Sequence, residues 1–222
     1  MTKHRKKIGK TLRNVALTVI LFIVAGNVLI LGANVVARMS YDEVDVPDLR
    51  GIANLEGVDN QLWRGAAPSD TGYKALARHG VGTVVDLRSD DEFSADPKLL
   101  EKLDIDLVRI PLRDGQSPTT AQVNRFLKVV KGTDKRVFVN CGAGVGRTGT
   151  MAAAYLVASG KSGSMEALGR NLAVGPPSLE QVAFVAGLNG EDAESPPAAI
   201  TLMSRIIDGP RRAWVNISHA YE

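Results

Sequence analysis

The stretch VFVNCGAGVGRTGT, residues 137–150, joins a short apolar run to a glycine-rich loop that holds the only cysteine of the chain, Cys141. Residues 136–140 predict a buried strand, and the apolar run after the loop predicts a helix over 147–159. A helix N-terminus presents unpaired N–H groups, and glycine permits backbone angles closed to other residues. A loop placed there can therefore converge on one small anion, with the cysteine beneath it.

Three side chains of this loop have the chemistry of phosphoryl transfer. A thiol becomes a strong nucleophile when it ionises, and a helix N-terminus or a nearby cation stabilises the thiolate. The planar guanidinium of Arg147 can bind two phosphate oxygens at once, and the hydroxyl of Thr148 can donate a hydrogen bond to the sulfur. We therefore predict Cys141, Arg147 and Thr148 as catalytic residues. The predicted phosphate-binding residues are Gly142, Ala143, Gly144, Val145, Gly146 and Arg147.

The loop resembles the active-site loop of the cysteine-dependent protein tyrosine and dual-specificity phosphatases, whose pattern is His-Cys, five residues, Arg-Ser/Thr. The resemblance covers roughly residues 55–190, and the segment from Trp63 to Arg88 is similar to the atypical dual-specificity group. It implies a phosphocysteine intermediate with no metal and no cofactor. One position departs from the pattern, because Asn140 stands where the family has a histidine that orients the loop and tunes the cysteine.

Other loops rich in glycine fit this stretch poorly. A nucleotide-binding P-loop needs glycine at the Cys141 position and lysine at the Arg147 position, and a dinucleotide fingerprint needs an early strand and another glycine spacing. His79 and His219 have no partners at metal-ligand spacing. Aromatic residues make up only 5% of the chain and no basic stripe is interleaved with them, so we predict no nucleic-acid partner.

Strand and helix patterns alternate along the outer part of the chain, which predicts an α/β fold with a mostly parallel central sheet flanked by helices. Ligands of such sheets bind beyond the carboxyl ends of the strands, where the cysteine loop lies. The predicted strands cover residues 62–65, 81–87, 107–112 and 136–140. The predicted helices begin near residue 69 and then cover 97–103, 119–131, 147–159, 163–173 and 178–188, with a short one at 199–207.

Expulsion of an alkoxide or phenoxide needs a proton donor. Asp114 follows the strand at 107–112, so it is expected near the sheet edge that carries Cys141, and the dual-specificity family has its general acid in this kind of loop. Neighbouring glycine and proline would let the loop shift. Gln181 resembles the glutamine that some family members use to orient the attacking water, although a solvent-facing helix residue fits equally well. Asp86 and Arg88 are better explained as an ion pair than as catalytic groups.

The N-terminal part of the chain is built differently. Residues 1–38 hold seven of the 27 Lys and Arg and none of the 24 Asp and Glu, so the remainder is net acidic. Residues 15–36 are almost wholly apolar, which is long enough for a transmembrane helix. The basic residues before it and the acidic run after it predict a cytoplasmic N-terminus and a catalytic domain on the other, periplasmic or extracellular, side. A cleaved signal peptide is the alternative, with residues 35–37 as the cleavage site.

These patterns predict a single-pass membrane protein that hydrolyses phosphate monoesters. The predicted units are a basic N-terminus (1–13), a transmembrane anchor or uncleaved signal (14–38), a linker (39–54), a phosphatase domain (55–190) and a tail (191–222). Phosphotyrosine on proteins is the leading substrate, since the loop contains no lysine of the kind found in phosphoinositide-directed relatives. A phospholipid or phosphosugar phosphatase and a catalytically silent phosphate-binding module stay open, as does the oligomeric state.

Overall fold

The computed structural model describes residues 2–41, 46–190 and 192–219, so most of the acidic run at 41–45 lies outside the described residues. Its centre is a five-stranded sheet in the order β1-β2-β5-β3-β4. The strands are β1 (Glu56–Gly57), β2 (Leu62–Ala66), β3 (Val81–Asp86), β4 (Asp106–Arg109) and β5 (Arg136–Cys141). Only the β1–β2 pair is antiparallel among these five. The predicted mostly parallel α/β fold is therefore confirmed.

Eight helices accompany the sheet in the described parts of the chain. They are α1 (Thr2–Ser40), α2 (Asp70–Arg78), α3 (Pro97–Lys102), α4 (Thr120–Lys131), α5 (Gly146–Ala158), α6 (Ser164–Val174), α7 (Leu179–Ala186) and α8 (Ala198–His219). The order of strands and helices agrees with the sequence prediction, but α1 and α8 are much longer than predicted. The two-residue strand β1 was not predicted, because so short a segment shows no periodicity.

Two apolar clusters lie on opposite faces of the sheet. On one face, α2 and α3 place Tyr73, Leu76 and Leu100 against Val84 and Phe138. On the other face, α4, α5, α6 and α7 cover a larger cluster. Both faces of the central strands are buried, as their continuous apolar sequences predict.

Strand β4 is shorter than the predicted strand at 107–112. It ends at Arg109 because Pro111 has no N–H group with which to continue the ladder. The chain still follows the end of β3, since Ile110 N–H bonds the carbonyl of Asp86 at 3.0 Å and Leu112 N–H bonds that of Leu87 at 3.0 Å. This course carries residues 112–114 to the sheet edge where β5 ends.

The tail packs on the domain through α8. Asp208 Oδ2 accepts a hydrogen bond from Leu179 N–H at 3.0 Å, and Ser204 Oγ accepts one from Glu180 N–H at 3.1 Å. Both N–H groups belong to the first turn of α7, which has no preceding helical carbonyls of its own to bond. Residues 192–210 thus cap a helix of the predicted phosphatase domain.

The apolar helix α1 packs against α6 and α8. Its segment Lys10–Ser40 is long and apolar enough to cross a bilayer, with a mean hydropathy of 2.6 over its most apolar window and none of that window buried. Arg38 donates to the carbonyls of Ala173 at 3.0 Å and Val174 at 3.2 Å, at the end of α6. The helix and the domain are therefore in direct contact through specific polar groups.

Candidate active site

Cys141 is the last residue of β5, the middle strand of the sheet, and the loop 142–145 leads from it directly into α5. The side chains of Val137, Val139 and Cys141 point to the same face of the sheet, since successive residues of a strand alternate. Only 3% of Cys141 is exposed. Cys141 is therefore almost fully buried and lies at the carboxyl end of the sheet, where the loop begins, as the sequence predicts.

The carbonyl groups of the loop residues 142–145 all have hydrogen-bond donors from the β1–β2 side. Ala67 N–H bonds the first carbonyl at 3.1 Å, and Asn54 Nδ2 bonds the second at 2.8 Å. Arg64 Nη2 bonds the third at 2.8 Å and the fourth at 3.2 Å. In a planar trans peptide the N–H points opposite to the C=O. The N–H groups of residues 143–146 are thus turned to the other side, the orientation that a phosphate cradle needs.

Gly144 permits this close contact between the loop and β2. Its φ is +74°, and a Cβ at this position would lie 2.3 Å from the carbonyl carbon of Gly65 and 2.4 Å from the nitrogen of Ala66. Both the backbone angle and the space exclude any larger residue. The loop therefore depends on glycine at 144 for its conformation.

Arg64, on β2, lies behind the loop. It is only 3% exposed and holds two loop carbonyls from β2. Burial lowers the pKa of Arg64, and the negative charges of Glu56 and of Cys141 offset this only in part. An arginine keeps its charge in such surroundings. The site thus contains a buried cation near the nucleophile that the loop motif does not include.

Arg147, at the start of α5, reaches back across the loop. Its Nη1 bonds Glu92 Oε2 at 2.6 Å and the carbonyl of Leu112 at 3.2 Å. Its buried Nε has no hydrogen-bond partner among the described residues, and a Cβ at Gly142 would lie 3.6 Å from its Nη2. Nη1 is fixed by these two bonds, while Nη2 lies near the start of the loop, where a guanidinium can bind an oxyanion.

The groups around Arg147 stabilise its protonated, positively charged form. Burial by itself lowers the pKa of Arg147, but the negative charges of Cys141, Glu92 and Asp114 outweigh that effect and raise the pKa above its usual value. Glu92 was not among the predicted site residues. It lies in an acidic run, Asp90 to Glu92, just after the carboxyl end of β3, so the strand-end rule that indicates Asp114 also applies to it.

Asp114 lies beside the loop, with its Oδ1 3.6 Å from Arg147 Nε and nearly half of its side chain exposed. The loop that carries it is tied to α7. Ser178 Oγ donates to the Gly115 carbonyl at 2.7 Å, and Glu180 Oε1 accepts from Ser117 N–H at 2.9 Å. The loop could shift, as its sequence predicts, only if these hydrogen bonds broke.

Thr148 lies in the first turn of α5 with its side chain fully buried. Its Oγ1 has no hydrogen-bond partner among the residues that the structure describes. The hydrogen bond that Thr148 can donate to the sulfur of Cys141 is therefore not formed among the described residues, and the catalytic role of Thr148 stays a prediction. A buried hydroxyl that has no hydrogen-bond partner costs free energy. The O–H bond of Thr148 can rotate, so it is able to donate to an acceptor that arises nearby.

Asn140 points to the sheet face opposite Cys141, like its strand neighbour Phe138. It is fully buried, and neither atom of its side-chain amide has a hydrogen-bond partner in the described part of the chain. Its register partner on β3 is Asp86, whose carboxylate is held by Arg88 through a 2.7 Å contact. The Asp86–Arg88 ion pair predicted from the sequence is thus present, and it lies under the loop without entering it.

Gln181 is buried rather than solvent-facing. Its Oε1 accepts from Ser178 N–H at 3.0 Å and its Nε2 donates to the Gln116 carbonyl at 3.2 Å. A Cβ at Gly146 would lie 2.6 Å from this Oε1, so the amide touches the start of α5. Gln181 therefore joins the cysteine loop, the Asp114 loop and the N-terminus of α7, and its role in orienting a water stays a prediction.

Comparison with known proteins agrees with this geometry. A segment of this chain is 31% identical over 96 residues to the probable chloroplastic NAD kinase 2 of Oryza sativa subsp. japonica, which is 40% of this chain and 10% of that protein. The chain is also 32% identical over 88 residues to the human dual specificity protein phosphatase CDC14C, which is 40% of this chain and 19% of that protein. The chain thus matches only about a tenth to a fifth of the length of these relatives.

The fold is also found in a solved phosphatase. The crystal structure of Tk-PTP in its G95A mutant form superposes with a TM-score of 0.51 at 20% identity, covering 72% of this chain and 97% of that one. The family model described as DSP-PTPase phosphatase fused to NAD+ kinase matches residues 40–187, about two thirds of the chain. The chain therefore belongs to this family of the dual-specificity and protein tyrosine phosphatase superfamily.

Proposed function

We propose that this protein hydrolyses phosphate monoesters through a phosphocysteine intermediate. The observation that carries the proposal is the position of Cys141 beneath a loop whose four carbonyls are all held from behind, so that the N–H groups of residues 143–146 face the other way. Oriented donors that need no rearrangement during the reaction are the strongest means by which an enzyme stabilises developing charge.

The residues present account for every step of such a reaction. The Cys141 thiolate attacks phosphorus, an S–P bond forms, and the P–O bond to the leaving group breaks while Asp114 donates a proton to the departing oxygen. Arg147 and the loop amides hold the three remaining phosphoryl oxygens. Water then attacks phosphorus and gives its proton to Asp114, the S–P bond breaks, and inorganic phosphate leaves with the thiolate restored.

Purified full-length protein in detergent should hydrolyse 4-nitrophenyl phosphate without added metal, and Cys141→Ser should abolish this activity. A serine hydroxyl is far harder to ionise than a thiol, so the nucleophile is lost while the shape is kept. Equal rates in the two proteins, or no activity in either, would contradict the enzyme proposal. In the second case a silent phosphate-binding module is the better description, and binding of a phosphotyrosyl peptide to the wild type would support it.

For the substrate we propose phosphotyrosine on proteins, with dual specificity as an extension. The loop interior at 142–146 contains no lysine, so the loop itself offers no cation before Arg147 to the additional charges of a phosphoinositide. The alternative of a phospholipid or phosphosugar is favoured by the contact between the domain and α1. Competition between a phosphotyrosyl peptide and vesicles containing a phosphoinositide decides between them, because the preferred substrate gives the higher kcat/KM.

We further propose that α1 anchors the protein in a membrane with its N-terminus in the cytoplasm and the catalytic domain on the periplasmic or extracellular side. The support is the apolar segment Lys10–Ser40, the excess of lysine and arginine before residue 15, and the absence of acidic residues before Asp42.

A further inference from the structure

We infer that α8 is a second membrane contact, an interfacial helix that lies in the bilayer beside α1 and places the catalytic domain against the lipid surface. The inference depends on the proposed anchoring of α1. It is based on one observation: α8 has an exposed apolar face and lies beside the apolar helix α1. The two helices touch at residues 26–27 of α1.

The contact between the two helices is specific. Asn27 Nδ2 donates to the carbonyl of Ile207 at 3.0 Å and to that of Ile23 at 2.9 Å. A Cβ at Gly26 would lie 3.0 Å from Cγ2 of Ile207, so glycine lets the two helices approach closely. A polar side chain inside an apolar segment is costly unless it is satisfied, and Ile207 supplies a partner for the amide of Asn27.

Helix geometry then fixes the depth of α8. The anchor cannot enter the hydrocarbon before Arg13 without burying charges, and about 20 residues are needed to cross it. The far boundary therefore lies near residue 33 at the earliest, which puts Asn27 at least about 9 Å inside that boundary at the rise of an α-helix. Interfacial helices bury their apolar face by about 5–10 Å, so α8 is at the depth expected for one.

The sequence of α8 fits that position. Leu202, Met203 and Ile206 are 61%, 40% and 47% exposed and, at i, i+1 and i+4, lie on one side of the helix within an arc of about 100°. On the other face Ser204 and Asp208 cap α7, which fixes the rotation of the helix. The exposed Arg205 lies between the exposed apolar face and the face that carries Ser204 and Asp208. From there its long side chain can reach the lipid headgroups. A bilayer is the partner that covers both this face and the neighbouring exposed residues of α1.

The test measures depth at single positions in the full chain. In a Cys141→Ser background, single cysteines at Leu202 and Ile206 are labelled with a polarity-sensitive fluorophore and the protein is reconstituted into phosphatidylcholine and phosphatidylglycerol vesicles containing brominated lipid. Leu21→Cys, in the apolar part of α1, reports anchoring. Glu101→Cys, exposed on α3 across the sheet, is the matched water-facing control.

We expect quenching and a blue shift at 202 and 206 of at least half the size seen at 21, and none at 101. If position 21 is quenched while 202 and 206 behave like 101, the anchor stands and the inference about α8 is overturned. If position 21 is also unquenched, the anchoring proposal fails and the inference fails with it.

A second measurement guards against label artefacts. Leu202→Glu combined with Ile206→Glu should lower kcat/KM for a substrate presented on vesicles at least threefold and leave hydrolysis of soluble 4-nitrophenyl phosphate unchanged.

Discussion

Among individual side chains, the site combines groups that the loop motif names with groups that only the sheet brings to it. Arg147 and Cys141 are six residues apart in sequence, whereas Arg64 and Glu92 reach the same loop from β2 and from the segment after β3. These two strands flank β5, so their carboxyl ends deliver side chains to the loop from both sides. Arg64 holds the loop carbonyls, and Glu92 fixes the Arg147 guanidinium, which we propose binds phosphate.

Replacing Asp114 should separate substrates by their leaving groups. A phenoxide leaves poorly unless it is protonated, so Asp114→Asn should lower kcat for phenyl phosphate by about 10² to 10⁴. A nitrophenoxide leaves readily without a proton, so the loss with 4-nitrophenyl phosphate should be at least tenfold smaller. Steady-state kinetics on both esters provide the measurement. An equal loss on both would mean that Asp114 acts on the loop rather than on the leaving group.

Arg64→Met should weaken inhibition by inorganic phosphate about ten- to a hundredfold. The carbonyls of Gly144 and Val145 lose a charged donor, and hydrogen bonds to charged groups contribute about 1.5–3 kcal/mol. Arg64→Lys keeps the positive charge but loses the planar guanidinium. The inhibition constant of phosphate for this variant should therefore lie between those for wild type and Arg64→Met. Arg113→Met, an exposed arginine near the same site, is the control and should change the constant less than twofold. If the inhibition constants of phosphate for all three variants equalled that of the wild type, the role of Arg64 would be refuted.

At the level of helices and strands, Asp59 ties the β1–β2 turn to the end of α5. Its Oδ1 accepts from Gln61 N–H and Leu62 N–H at 2.8 Å, and its Oδ2 accepts from Tyr155 Oη at 2.8 Å and from Lys161 Nζ. Burial by itself raises the pKa of Asp59, but the hydrogen bonds from Lys161 and Tyr155 and from the two backbone amides outweigh it. The pKa in the folded state therefore lies below its ordinary value of 3.8.

A lowered carboxyl pKa makes this contribution to stability dependent on pH. Because the unfolded state binds the proton more tightly, the stabilisation is complete above about pH 4 and is lost as pH falls through the folded-state pKa. Asp59→Asn should thus lower the free energy of unfolding by about 1–2 kcal/mol near pH 7, and the difference from wild type should shrink in acid. Urea unfolding at several pH values measures this. Asp106→Asn, on an exposed position of β4, is the control and should change the free energy of unfolding near pH 7 by less than about 0.5 kcal/mol.

Elements with strong local signals were predictable, whereas their contacts were not. The apolar run 137–139 predicts β5, and the capping residues Thr119 and Ser178 mark the starts of α4 and α7. By contrast, α8 was predicted to end at residue 207, because Gly209 and Pro210 interrupt its pattern. The docking of α8 on α1 and α7 depends on hydrogen bonds between residues up to 180 positions apart, for which a sequence pattern carries no signal.

For the protein as a whole, the membrane orientation is the property that the sequence predicts and a fusion can test. An alkaline phosphatase reporter, which folds only in an oxidising compartment, should be active when it is fused after Glu222. Exchange of the basic residues before residue 15 for acidic ones should reduce that activity, because those charges keep the N-terminus in the cytoplasm. Activity of a cytoplasmic reporter at the same position would reverse the assigned topology.

The attachment of α1 to α6 bears on the alternative of a cleaved leader. Ala37, the last residue of the predicted cleavage site, is only 5% exposed and lies inside a continuous helix. The neighbouring Arg38 is held by two carbonyls of α6. Proteases cut exposed, unfolded segments, so a peptidase could reach this bond only before the domain has folded around it. If α1 is the anchor that we propose, the folded protein should therefore keep this helix, and detergent should be needed to extract it from the membrane.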